Sequence, residues 1–454
     1  MAKTTISVNH AGSELSTELA TYYSNNRLMW NNVLLIMLAN VGWTISFAFL
    51  GPLMLLRLNK LGVNEGTLGL LGSTNLWVVS FLVMYFSWKS DHCTSRWGRR
   101  LPFLFMSVPF IILSISLFPF FVYVPMLIAL TVVQMLATDV KSSTFPLLNI
   151  DCVRKDVLAR MGSINAIACG LVGFFGIRYG VRLADVAEWL PYTLGAGILC
   201  MTTYAATFIK EPPIHNPATE TFKPWSALKI GWSDKRNIVM MLGVGTIHAF
   251  LAMYGTWVWL YAKNDLHIER ADCANALSWS ALIGVVLAYP IGWAIDKLGS
   301  YKIVTVFWCL QVIGFIYAMH VNSVNSLIIL SIILCFAGPF YAGADMLVFK
   351  TCHPSVVGSM TSSNSFLRNM VIGTIVFVSG YMIQQTHNYK TAFILGICVS
   401  TFGLTMFGLY YYLITRTKAG SRGQESGHRS QNGSETGQEE FPEDGNSCIS
   451  PDIL

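Results

Sequence analysis

Two charged residues, Asp139 and Lys141, stand inside a long apolar run at 124–146. A charge at that depth of a membrane-spanning helix costs at least about 2.5–3.5 kcal/mol on insertion scales, so it needs an ionic partner or a water-filled cavity. A carboxylate facing such a cavity can bind and release a proton and can hydrogen-bond a passing solute. The alternative is a structural ion pair with another helix. Two positions apart on a helix, Asp139 and Lys141 fall on different faces and need not pair with each other; for Lys141 the solute-handling and structural readings stand level. Asn40, Trp43 and Thr44 in the first apolar run, and Asn75 in the second, can add hydrogen bonds and a ring face for the C–H surface of a solute. Asp345 follows Gly338 and Pro339 in a later run and is the counterpart of Asp139 there. It reads equally as a second site residue or as one half of an internal ion pair, with Arg368 or Lys350.

A second constellation lies between apolar runs, at residues 87–103. Asp91 closes one run, and Arg96, Gly98, Arg99 and Arg100 fill the turn into the next. Its echo, Asp296, Lys297, Gly299 and Lys302, lies 205 residues further on, counted from Asp91 to Asp296. A carboxylate at a helix end, opposite the rigid two-pronged forks of arginine, can form a latch that breaks when two bodies rock. The alternative is that these charges only set topology; the Asp-Gly-Arg-Arg order and the echo favour a latch. A second echo, Gly162-Ser163 and Gly358-Ser359 at an offset of 196, also points to an internal duplication.

These residues need long apolar elements to carry them, and the composition supplies them. The chain is 53% hydrophobic and 12% charged, where soluble domains carry roughly 25% charge, and its mean hydropathy is +0.52. Twelve apolar segments can be read, at roughly 33–56, 66–88, 103–122, 124–146, 161–183, 189–209, 237–261, 274–294, 303–320, 325–348, 363–385 and 390–414. Each is about the length a helix needs to cross the hydrocarbon. Helices are required because the spanning backbone must satisfy its own hydrogen bonds. The expectation is an all-α membrane protein: a polar N-terminus (1–29), six spans (30–209), a Pro-containing linker (210–236), six more spans (237–415) and a disordered polar tail (416–454).

With the N-terminus cytoplasmic, 21 of the 30 Lys and Arg residues fall on the inner side and seven outside, which favours N-in and C-in by the positive-inside rule. The net charge of +6 sits in loops and sets topology; it does not mark a nucleic-acid partner. The ten cysteines show neither a disulfide framework nor metal-ligand spacing, and no nucleotide loop of the Gly-x-x-x-x-Gly-Lys-Ser/Thr type is present. No cofactor, metal or catalytic residue is therefore expected. His248 reads as a hydrogen-bonded structural residue, Trp257 and Trp259 as interfacial anchors, and Gly170, Gly173, Gly176 and Gly180 as helix-packing positions.

The loop between the second and third runs resembles the signature of the major facilitator superfamily. Within it, Ser90-Asp91-His92-Cys93-Thr94-Ser95-Arg96-Trp97-Gly98-Arg99-Arg100-Leu101-Pro102-Phe103 is similar to the sucrose transporters and, more loosely, the glycoside–pentoside–hexuronide cation symporters. Gly42-Trp43-Thr44 to Gly51-Pro52 and Asp139-Val140-Lys141 extend the similarity. Ser87 replaces the family's loop glycine, His92 a basic residue, Lys141 a small residue, and Ser142 and Ser143 a pair of asparagines. The resemblance implies twelve transmembrane helices in two pseudo-symmetric six-helix bundles. It also implies proton symport of a sugar or glycoside, with Asp139 coupling proton to solute, in the plasma (cell inner) membrane. Its partners would be the solute, a proton or other cation, and the bilayer. The rivals are a facilitator or exporter of another organic solute, for which Lys141 would mark an anionic one, and a non-transporting sensor on the same fold.

Overall fold

The computed structural model describes residues 21–212, 223–298, 300–335 and 357–429. The first half contains α1 (Asn26–Lys60), α2 (Glu65–Asp91), α3 (Leu101–Leu117), α4 (Val124–Cys152), α5 (Lys155–Phe175) and α6 (Leu190–Ala206). A linker helix (Pro224–Trp232) precedes the second half. There α7 (Lys235–Asn264), α8 (Arg270–Leu298), α9 (Ser300–Ala318), α10 (Val324–Cys335), α11 (Val357–Thr386) and α12 (Lys390–Arg429) follow. Eight of the helices among the described residues are long and apolar enough to cross a membrane.

The chain marks its own helix boundaries. Asn25 caps α1, its side chain accepting from Leu28 N at 3.0 Å, and Asn64 caps α2 through Thr67 N at 2.8 Å. Each cap satisfies one of the amide donors that a helix start leaves open. Proline sits in the first turn of α3, α4 and α6, where its missing N–H costs nothing. Between α1 and α2 the reversal needs Gly62 at φ +87°, a conformation that disfavours any Cβ.

Within the first half, α1 packs on α5 and α6, α3 on α4 and α6, and α2 on α4. In the second, α7 packs on α11 and α12, α8 on α10, and α9 on α12. The halves meet along α2–α11 and α5–α8. Advancing each index by six exchanges these two contacts, as a duplicated chain requires. Among the described residues the architecture is thus all-α, its main helices forming two related sets of six.

Some boundaries differ from expectation. The last helix continues to Arg429, beyond the expected end of ordered structure at 415. No proline interrupts 416–429, and extending an established helix is far easier than starting one. Part of the linker is helical and packs on α11, with Leu228 buried. The α5 span ends in a wider π-turn at Gly176–Gly180. Trp257 and Trp259 are buried, not interfacial, and Trp257 Nε1 donates to Ser379 Oγ at 2.7 Å across α7–α11. Hydropathy cannot tell an interface-facing tryptophan from one facing a neighbouring helix.

The α2–α11 contact depends on small residues. A Cβ on Gly380 would stand 2.7 Å from the Glu65 carbonyl oxygen and 3.1 Å from Gly69 Cα, both backbone atoms that cannot yield. A Cβ on Gly72 would meet only Val376 Cγ1, at 3.7 Å. Gly380→Val is expected to destabilise the protein by about 1–3 kcal/mol through overpacking, seen as a lower Tm in detergent. Gly72→Ala should leave Tm unchanged, and equal effects of the two changes would contradict this account of the seam.

Candidate functional site

The turn between α2 and α3 gathers a network of charges. Arg99 makes a two-pronged contact with Asp151 at the end of α4, Nη2 to Oδ1 at 2.6 Å and Nε to Oδ2 at 3.1 Å. Arg100 donates from Nε to the same Asp151 Oδ2 at 3.1 Å, from Nη2 to Asp91 Oδ1, and from Nη1 to Ser90 Oγ. Arg99 is also 3.7 Å from Asp91. Such paired, charge-assisted bonds are the strong class of hydrogen bond. They tie together the ends of α2, α3 and α4, all in the first half.

Glu211, just past α6, completes the network. Its carboxylate accepts from the backbone N–H of Arg99 at 2.7 Å, Arg100 at 3.0 Å and Leu101 at 2.8 Å. The first turn of α3 thereby receives a carboxylate cap from the start of the linker, where the helix dipole favours negative charge. Gly98 makes room for it. Its φ is +105°, and a Cβ there would fall 2.4 Å from Glu211 Cδ. Lys210 is fixed alongside: its carbonyl accepts from Tyr22 Oη at 2.7 Å and Asn32 Nδ2 at 2.9 Å, and its N–H donates to Asn32 Oδ1 at 3.1 Å. Neither Glu211 nor Asn32 was picked out from sequence. The available signal was Lys210-Glu211-Pro212-Pro213, a carboxylate immediately after an apolar span.

Of the other residues expected here, Arg96 turns away and lies over the Trp97 ring, 5.2 Å from its centroid. Lys297 lies over Trp293 at 4.7 Å, and Lys302 is exposed. Gly299 and Asp345 fall outside the described residues, as does the side chain of Asp296. Arg368 is half-buried on α11, its backbone against Gly245 of α7.

Mid-span on α4, Asp139 and Lys141 are both buried. Lys141 Nζ lies 4.0 Å from the Trp43 ring centroid and 4.8 Å from that of Phe145, and Trp43 stacks on Phe47 at 4.2 Å. Sequence reasoning placed Lys141 and Trp43 in one site without an interaction between them; the fold supplies a cation–π contact. Among the described residues neither Asp139 nor Lys141 has an ion-pair partner, and Asp139 Oδ2 is buried with no hydrogen bond from protein. Asn75 Oδ1 is in the same position. Asn40 and Thr44 are half-buried on α1, Thr44 beside Gly173 of α5.

At the opposite end of the molecule, polar contacts join the two halves. Tyr389 donates to Glu65 Oε1 at 2.6 Å, Asn264 Nδ2 donates to Tyr389 Oη at 2.8 Å and reaches Asn59 Oδ1 at 3.5 Å, and Arg270 pairs with Asp185.

The sequence matches the pattern of the Major Facilitator Superfamily over residues 33–371 and again over 240–436. No curated protein matches it in sequence. Among solved structures, it is similar to a point mutant of the nucleoside transporter NupG (TM-score 0.70, 12% identity, covering 85% of this chain and 100% of that one). It is similar to the human organic anion transporter MFSD10 (TM-score 0.63, 14% identity, 84% and 99%). A POT family transporter in complex with 5-aminolevulinic acid is also similar (TM-score 0.66, 11% identity, 84% and 95%). At these identities the likeness is one of fold.

Two substitutions test the cap. Gly98→Ala is expected to cost about 1–3 kcal/mol, since it forces a side chain into a left-handed backbone and displaces Glu211. Burial raises the Glu211 pKa above the ordinary glutamate value, against the pull of the three N–H donors. The folded state therefore holds the proton more tightly than the unfolded chain. The stability this gives is complete below the ordinary pKa, about 4.3, and is lost as pH rises through the raised value. Glu211→Gln should remove this component: the Tm of the wild type, compared with that of the variant, should fall as pH rises over that interval. Parallel Tm–pH curves would show that the carboxyl is not perturbed.

Proposed function

This chain belongs to the Major Facilitator Superfamily and is an integral, multi-pass membrane transporter of small molecules, not an enzyme; from that premise we propose that it carries a sugar or glycoside by proton symport with alternating access. One observation supports the coupling above all others: Asp139 is buried mid-span with no cationic partner among the described residues. An ionised carboxylate left so would be costly, whereas a protonated one is neutral and can donate a hydrogen bond. In the proposed cycle Asp139 takes up a proton when the cavity faces out and hydrogen-bonds a solute hydroxyl. It releases both after the halves rock.

The two ends of the molecule fit this cycle. The polar contacts between halves described above lie at the Glu65–Tyr389 end, with ring contacts such as Phe81–Phe366 further along the α2–α11 seam, while the Asp91–Arg99–Arg100–Asp151 network holds three helices of the first half together as one body at the other end. We propose that this network, with Gly98, Glu211 and the echo at Asp296, Lys297, Gly299 and Lys302, forms the cytoplasmic gate. In this reading both termini are cytoplasmic and the protein sits in the plasma membrane, with Asn40, Trp43, Thr44 and Asn75 contributing to the solute site.

A second reading, an organic anion as solute, is favoured by Lys141. Cation–π contacts contribute roughly 0.5–2 kcal/mol, less than the about 2.5–3.5 kcal/mol or more of placing a lysine mid-span. The difference is what an anionic group on the solute would offset.

The deciding experiment is uptake of radiolabelled sucrose, maltose and a monosaccharide panel into proteoliposomes, with and without an inside-alkaline pH gradient. Gradient-driven uptake is expected in the wild type, and its gradient-driven component should vanish in Asp139→Asn. Absence of sugar flux from both proteins would overturn the sugar assignment. For the second reading, Lys141→Gln should abolish flux of an organic anion such as a hexuronate.

A further inference from the structure

Beside the charge network, between the start of α3 and the end of α6, lies a cavity of about 660 Å³ whose walls include Arg96, Trp97, Leu101, Phe105, Lys210 and Glu211. The charges on its rim do not balance. Arg96 and Lys210 are both exposed, and neither side chain meets a carboxylate among the described residues. Glu211, the carboxylate in the wall, is turned onto the backbone N–H groups of Arg99, Arg100 and Leu101. Among the described residues the rim therefore presents two cations and no carboxylate aimed at them. Trp97 is 53% exposed, with Arg96 over its face and Phe105 edge-on to it at 5.6 Å.

Away from the rim the surface changes character. Helices α3 and α6 run antiparallel and in contact. α3 exposes Met106, Phe110 and Leu113, and α6 exposes Leu194, Met201 and Tyr204, with Phe208 exposed in the turn just past its end. The spacings, i, i+4, i+7 on α3 and i, i+7, i+10 on α6, put each set on one helical stripe. Two apolar stripes thus run down the lipid-facing side of the first half from a cationic, tryptophan-bearing rim. Tryptophan favours the headgroup level of a bilayer, and basic pockets between transmembrane helices suit anionic headgroups.

We propose that this cavity binds an anionic phospholipid, its phosphate between Arg96 and Lys210 and its acyl chains along the exposed stripes of α3 and α6. The uncompensated cations select a lipid of net negative charge over a zwitterionic one. The apolar walls, continuous with the hydrocarbon-facing surface, select a lipid over a soluble anion. The site also has a consequence for the gate. The Lys210 backbone is clasped by Tyr22 and Asn32, and the next residue caps α3. A lipid held by Lys210 would therefore brace the start of the linker against the first half.

The test is native mass spectrometry of the full-length protein released from mixed phosphatidylglycerol and phosphatidylcholine micelles, which does not depend on any transport assay. The wild type should retain phosphatidylglycerol over phosphatidylcholine, and Arg96→Gln/Lys210→Gln should lower that retention roughly thirtyfold, with two near-surface cations removed. Arg96→Lys/Lys210→Arg should restore it. Both positions are exposed, and an unchanged Tm would confirm that the neutral variant is folded. Equal retention by wild type and neutral variant would overturn the site. Displacement of phosphatidylglycerol by excess sodium phosphate would overturn its assignment to a lipid and mark a site for soluble anions.

Discussion

Because no water reaches the hydrocarbon, every backbone N–H and C=O within a span of this protein has to be satisfied inside its own helix, and the distribution of polar side chains follows from that. The clustered ion pairs lie at helix ends. Arg99 and Arg100 with Asp91 and Asp151 occupy one end, and Arg57 and Lys60 with Glu188 and Arg270 with Asp185 the other. Of the helix starts at these ends, α1 and α2 are capped by Asn25 and Asn64, α3 by Glu211, and α4 carries proline. Against this rule Asp139 and Lys141 stand out as charges carried mid-span on α4 without an ionic partner among the described residues. In the proposed cycle they handle the proton and the solute.

The linker is more than a tether. Glu211 reaches back to cap α3, Lys210 is clasped by the residues leading into and along α1, and the helix Pro224–Trp232 packs on α11 of the other half. One covalent segment is thus keyed into both halves within about twenty residues. In the proposed cycle such a segment would feel their relative rotation directly. The glycine seam between α2 and α11 supplies the complementary element. Gly69 and Gly380 let two backbones touch, and elsewhere along the seam side chains such as Trp77 and Phe81 pack against α11.

Much of the candidate site could be named from sequence but not assembled from it. Asp91, Arg99 and Arg100 were legible because they are near in sequence and occupy a polar turn between apolar runs. Asp151 is more than fifty positions from the arginines, and its bonds to both depend on α4 returning beside α2. Glu211 looked like an ordinary linker residue, since nothing local shows that it lies on the N-terminus of a helix 110 positions earlier. Trp257 read as an anchor because a one-dimensional pattern marks depth in the membrane but not the direction a side chain faces; its partner Ser379 is 122 residues away.

By itself, the sequence determined the class of molecule, the succession of its apolar spans, the duplication and the capping and proline positions where several helices begin. Those properties follow from local physics: transfer of apolar side chains out of water, helix-end chemistry and the steric demands of glycine and proline. Tertiary structure alone decided which polar groups meet. It put Lys141 over Trp43, Glu211 on α3, Gly380 against Gly69 and Tyr389 beside Glu65, because each contact depends on how helices distant in sequence rotate and cross, and packing fixes that only after they have formed.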